Sequence, residues 1–277
     1  MKKNLTSLVE YFIAFFKSLV GKIAIALFIT IFTLMQINAC IYGSTYENYV
    51  ISLVASLFEL TITISFVQYA LDKKKNVEDR YSETKRILQN HNVLIIYIQQ
   101  YIFYYNQMTV PFGEERGRVS SNAFRKDFKI SDLADLHKPT LLLKNRFQVS
   151  PVEKFFDVEK KITTLFSQIL ITQDFMFYPQ IKDLFQEFIT ISLQANPSDT
   201  ILDNMNIRIG EKDAKLEIDS MLKLNVDDYY EKLIAGKVSP SNLMFSYCVL
   251  FNLMQAESVI IEKYINQVNA IILFNHK

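Results

Sequence analysis

The chain has 277 residues, half of them apolar, with 30 basic and 29 acidic side chains for a net charge of +1. That length allows one or two domains, and a charge so near zero gives the whole protein no general attraction to nucleic acid or to an acidic partner. Glycine and proline number six each. Phosphate-cradling loops need backbone that glycine alone adopts at little cost, so helices on short connections are expected. Cys40 and Cys248 are the two cysteines, and they read as reduced, packed thiols, too few for a disulfide framework.

In chain order, Leu5–Val20 repeats Leu8, Phe12, Phe15 and Leu19 at spacings of three and four. That rhythm fits an amphipathic helix over residues 1–22, lying on the inner leaflet or packing on the rest of the protein. Two apolar runs follow. Ile23–Ile41 (IAIALFITIFTLMQINACI) carries no charge, and Val50–Leu71 (VISLVASLFELTITISFVQYAL) carries only Glu59. Each is about as long as the ~20 residues a helix needs to cross a bilayer, and lipid forces the backbone to satisfy itself as a helix. With the short link Tyr42–Tyr49 (YGSTYENY), residues 23–75 are predicted to form a transmembrane hairpin. Lys2, Lys3, Lys17 and Lys22 precede it, Lys73, Lys74, Lys75 and Arg80 follow it, and the link has no Lys or Arg. Basic flanks stay in the cytoplasm. The expected location is therefore the inner membrane, multi-pass, with both termini cytoplasmic. A cleaved signal peptide would start its apolar run sooner. Ile37-Asn38-Ala39-Cys40 fits a lipidation box poorly and leaves the second span unexplained.

Ser52, Ser56, Glu59 and Thr63, spaced four, three and four, make one polar stripe on the second span. Ala26, Thr30, Thr33 and Cys40 make a small or weakly polar stripe on the first. Small residues and hydroxyls let helices approach and bond. An ionised carboxylate in mid-bilayer costs about 2.5 kcal/mol or more. Glu59 is therefore expected either to be a neutral acid bonded across the hairpin or to join a ring of copies in an oligomer.

Residues 76–277 are expected to form a helical cytoplasmic domain. Helical periodicity runs from Asn76 to about Asn106 and stops at Val110-Pro111-Phe112-Gly113. The loop-like segment 113–130 carries Arg116, Arg118, Arg125, Lys126 and Lys129. These are candidates for contact with anionic lipid or nucleic acid, against the plainer reading of solvated surface. Ser131-Asp132 opens a short helix. Ser150-Pro151-Val152-Glu153 has the form of a capping box, opening a helix to about Phe177 in which Glu159 reads as an ordinary helix-face charge. Another helix spans about Gln180–Gln194. Residues 205–218 read either as a small β-hairpin around Gly210 or as a loop entering a helix. Residues 226–235 look helical up to Gly236, and Ser239-Pro240-Ser241 opens a last helix to about Phe274. The fold class is thus all-α: a two-helix transmembrane hairpin before a mostly helical domain, with at most one small β-hairpin.

The machinery of catalysis is not visible. His91, His137 and His276 do not pair at metal-ligand spacing, and no Gly-x-Gly-x-x-Gly, Walker lysine or Gly-x-Ser-x-Gly motif occurs. No enzyme activity, cofactor or metal is expected. The hairpin, the Lys73-Lys74-Lys75 flank and the single helical domain together resemble the membrane-acting effectors of bacterial anti-phage defence systems that accompany retrons or nucleotide-signalling operons. The resemblance is one of architecture and carries over no site residue. It implies an effector silenced by a cytoplasmic protein or nucleoprotein partner, which on infection assembles as a homo-oligomer and perturbs the inner membrane. A membrane-anchored scaffold recruiting a cytoplasmic partner is the alternative.

Overall fold

The structure, a computed structural model, describes residues 22, 25–26, 29–33, 35–37, 47–144, 147–194, 196–203, 208–209, 212–238 and 243–275. The expected helix over residues 1–22 lies almost wholly outside the described residues, as do Cys40 and positions 239–242. The chain is mostly helical and divides into two compact units, Met1–Ser82 and Glu83–Lys277.

In the first unit, described residues between 22 and 37 are helical. There Thr30 and Thr33 donate their hydroxyl protons to the carbonyls of Ala26 and Ile29, at 2.8 and 2.7 Å, so each hydroxyl is first satisfied by its own helix. Helix α1, Glu47–Met108, begins in this unit and ends in the second. It starts inside the expected link, taking Glu47–Tyr49 into the helix. Val77 and Tyr81, at the start of the periodic stretch from Asn76 to Asn106, are exposed. Burial sets in at Glu83 and recurs at Thr84, Ile87, His91, Leu94, Ile98, Tyr101, Ile102 and Tyr105. Those intervals of three and four define one stripe against the core.

After α1 the second unit continues through short 3-10 turns at Glu114–Arg118 and Ile130–Asp135 to an antiparallel pair, β1 (Thr140–Lys144) and β2 (Phe147–Val149). This hairpin was not expected. Helix α2, Pro151–Thr172, opens as the sequence foretells. Ser150 Oγ accepts from the Glu153 amide at 3.4 Å, and a Glu153 carboxylate oxygen accepts from the Ser150 amide at 3.2 Å. It stops at Thr172, five residues short of the expected end, because Gln173–Tyr178 is tied to α1 by the contacts described below. Helix α3, Pro179–Gln194, and the one-turn α4, Ser198–Asp203, follow. The 205–218 region resolves both ways: β3 (Arg208–Ile209) pairs with β4 (Lys212–Asp213), and α5 (Ala214–Ile234) starts directly after. Helix α6, Leu243–Asn275, completes the unit.

Packing follows composition, with aromatic rings meeting at the centre. Tyr101 of α1 lies 4.9 Å from Phe155 of α2, centroid to centroid, and Phe166 stacks on Phe185 of α3 at 4.1 Å. Phe185 meets Tyr264 of α6 at 5.3 Å. Such pairs add to the energy of burial. Helix α5 lies on the Ile130–Asp135 turn, and α6 packs on α3, α4 and α5.

Helix α5 ends at Gly236, whose φ of 67° is left-handed. Gly236 N–H donates to Leu233 O and Lys237 N–H to Lys232 O, at 3.0 and 2.8 Å, a Schellman closure. A Cβ there would meet nothing within 4 Å. Gly236→Ala should thus cost about 1 kcal/mol from backbone strain alone. Chemical denaturation of the two proteins would show it, and equal midpoints would refute this account of the turn.

Candidate functional site

The intramembrane candidates occupy one face of α1. Ser52, Ser56, Glu59 and Thr63 are all helical and exposed. Around them Phe58, Leu60, Ile62, Ile64, Phe66, Val67 and Leu71 are about half exposed or more. Ser65 is buried and Thr61 and Tyr69 are half-buried, so the exposed apolar side chains flank a covered side of the helix and spread beyond the single apolar face of a surface helix. Among the described residues one helix, Met244–Leu273, is long and apolar enough by composition to cross a membrane, and half of its most apolar window is buried. Tyr247, Leu250, Leu253, Met254, Ile260, Ile261, Tyr264 and Val268 lie in the core of the second unit. That helix is apolar because it is the spine of a folded domain.

The basic segment does not behave as one surface. Arg116 must be removed from the set of contact candidates, since it is 1% exposed. Its Nε donates to Val110 O at 3.2 Å, Nη1 to Lys138 O at 3.1 Å and Nη2 to Asp135 O at 2.8 Å. The planar fork joins the end of α1 to the Ile130–Asp135 turn. Asp135 completes the joint: Lys138 and Lys223 lie 2.7 and 3.0 Å from Oδ1, and the Phe112 amide donates to Oδ2 at 2.9 Å. Burial pushes that carboxyl up, but hydrogen bonds from Lys138, Phe112 and Lys223 hold it well below the usual range. Asp219, 3.9 Å from Lys138, is pushed up to about 6, chiefly by burial. Arg125 is half-buried, bonded to Thr109 O and 3.7 Å from Asp132, and Lys126 pairs with Glu262 at 2.9 Å. Arg118 and Lys129 are exposed. Phe124, Phe128 and Ile130 are buried, so apolar side chains anchor the segment.

The most unusual chemistry in the second unit is a buried acid pair. Glu159 of α2 and Glu257 of α6 are 1% and 0% exposed. Glu159 is no helix-face charge: Ser192 donates to its Oε1, and Asn196 Nδ2 reaches both carboxylate oxygens at 3.1 and 3.0 Å. Tyr101 donates to Glu257 Oε2 at 2.5 Å. Burial, then the charge of Glu159, pushes Glu257 well above the carboxylate range, and burial also raises Glu159. Burial and the neighbouring charge of Glu159 thus both favour the neutral form of Glu257, whose Oε1 has no hydrogen-bond partner among the described residues. Both acids fall on apolar stripes, Phe155–Glu159–Ile162–Phe166 and Leu253–Glu257–Ile260–Tyr264, and an acid on such a stripe was the signal available in the sequence. Neither of these acids nor Arg116 faces an opening to solvent, so they carry structure. No group of three or more His, Cys, Asp or Glu side chains suited to a metal occurs among the described residues.

No protein-family model, curated protein or solved structure matches this chain.

Proposed function

We propose that this protein is a membrane-embedded effector. Its first unit resides in the bacterial inner membrane as a two-helix hairpin with both termini cytoplasmic. Its second unit receives a cytoplasmic protein or nucleoprotein signal, and hairpins from several copies then assemble and perturb the membrane, in keeping with an anti-phage role. The observation that carries the reading is α1 between Phe58 and Leu71. Seven large apolar side chains there are exposed, with Glu59 and Thr63 exposed among them and Ser65 buried, a surface better suited to lipid than to water. The continuity of α1 from residue 47 to residue 108 supplies a covalent, helical connection between the membrane segment and the folded domain. In this reading Ser52, Ser56, Glu59 and Thr63 line or seal the contact between copies, and no chemical reaction is involved.

Exposed Ile171, Met176 and Leu193 on the second unit favour a second reading, in which the hairpin only tethers a domain that recruits a partner. Two variants separate them. Glu59→Leu is expected to abolish depolarisation of expressing cells, read with a potential-sensitive dye, while leaving the amount of protein in the membrane unchanged. Replacement of residues 1–75 by an unrelated two-span anchor is expected to do the same. Retained activity in the swapped protein would favour tethering and reject the effector.

A further inference from the structure

We propose that the connector Gln173–Tyr178 is a latch on α1, opening and closing over Glu83–Asn90 without unfolding the rest of the second unit. The contacts concentrate at the point where α1 first becomes buried. One Glu83 carboxylate oxygen accepts from the amides of both Phe177 and Tyr178, and the other from Phe177, all at 3.2 Å. These are the last two N–H groups before α3, since Pro179, its first residue, has none. Thr84 Oγ1 and the Tyr178 hydroxyl are 2.8 Å apart. At the other end of the connector, Asn90 Nδ2 donates to Gln173 Oε1 at 2.9 Å.

Three features make this a joint that opens. Of residues 173–178 only Phe175, against Phe185 at 6.0 Å, is fully buried among the apolar side chains, with Tyr178 partly buried on the core, whereas the helices on either side are held by whole stripes. Segments with few apolar anchors open at lower free energy than the core they cover. Gln173 Nε2 is buried without a hydrogen-bond partner among the described residues, so the closed state leaves a donor unsatisfied and is that much less favourable. Ile171 and Met176 stand out from the surface on either side of Gln173, at 84% and 74% exposure, and offer a grip on a segment otherwise pinned from below. Opening releases the first two turns of α1 inside the second unit. The value of that release as a control on the membrane segment rests on the function proposed above; the latch itself does not.

The test is hydrogen exchange on the full-length protein in detergent micelles. Glu83→Ala should speed exchange of the Phe177 and Tyr178 amides by about tenfold or more, with Ile98–Met108 and Ile260–Val268 unchanged. Thr84→Val with Asn90→Ala, which leaves Glu83 in place, should produce a smaller change in the same amides. Uniform acceleration over the whole unit, or no local change in either variant, would overturn the latch. The same proteins added to phosphatidylethanolamine–phosphatidylglycerol vesicles report separately on function through dye release. Faster local exchange with release unchanged would support the latch and overturn its role as a control on the membrane segment.

Discussion

Arg116→Met should destabilise the second unit by about 3–5 kcal/mol, among the largest losses available to a single substitution here. The side chain is fully buried and spends all three guanidinium nitrogens on the carbonyls of Val110, Asp135 and Lys138. Methionine has nearly the right length but no donor, so one buried acceptor and two part-buried ones lose their partner, at a cost of about 1–3 kcal/mol for a fully buried one before relaxation. The Asp135 pair beside it loses a nearby cation as well. Arg116→Lys should recover little, because a single ammonium cannot serve three carbonyls spread around a planar fork. Thermal unfolding in detergent should show a fall of roughly 10 °C for a unit of this size. A change of only a degree or two would mean that the carbonyls find water and that the joint is ornamental.

The second large effect runs in the opposite direction. Glu257→Gln should stabilise the protein at neutral and alkaline pH and do little near pH 4.5. The sign follows from linkage. A carboxyl whose pKa is raised in the folded state contributes its full stability below its unfolded value, and loses it as pH climbs toward the folded value. Above the ordinary carboxyl range the native state must hold a proton on Glu257 that the unfolded chain gives up. Glutamine needs no proton, and its carbonyl can accept from Tyr101 as Glu257 Oε2 does. The advantage of the variant should therefore grow by about 1.4 kcal/mol per pH unit across that window. Glu159→Gln is the contrasting control. Both oxygens of Glu159 accept hydrogen bonds from Ser192 or Asn196, so an amide nitrogen there faces donors and should destabilise. Urea titrations between pH 5 and pH 8 read the slope. A pH-independent difference for Glu257→Gln would show that Glu257 is ionised in the native core.

The contrast between these two sites shows what one sequence discloses. Local geometry was legible: the cap at Ser150, the arrest after α1 at Pro111, and the stop at Gly236 each depend on residues a few positions apart. Periodicity also placed α2, α3 and α6. Their ends were less secure, and α2 stops at Thr172 because Glu83 and Asn90, more than eighty positions away, claim the connector. Glu159 and Glu257 were readable in principle, as acids on apolar stripes. Arg116 was not. It sits among glycine, serine and other basic residues, where a charge is normally solvated, and its burial is set by carbonyls from two backbone segments, the end of α1 and the turn Asp135–Lys138. The β1–β2 hairpin likewise depends on pairing that neither strand signals strongly by itself.

Everything proposed about function requires the stretch ending at Leu71 to be embedded in lipid. Membranes from cells expressing the full-length chain, washed in alkaline carbonate, test that most directly. The protein is expected to stay in the pellet and to come out only with detergent. Recovery from the supernatant as a detergent-free monomer would contradict the account.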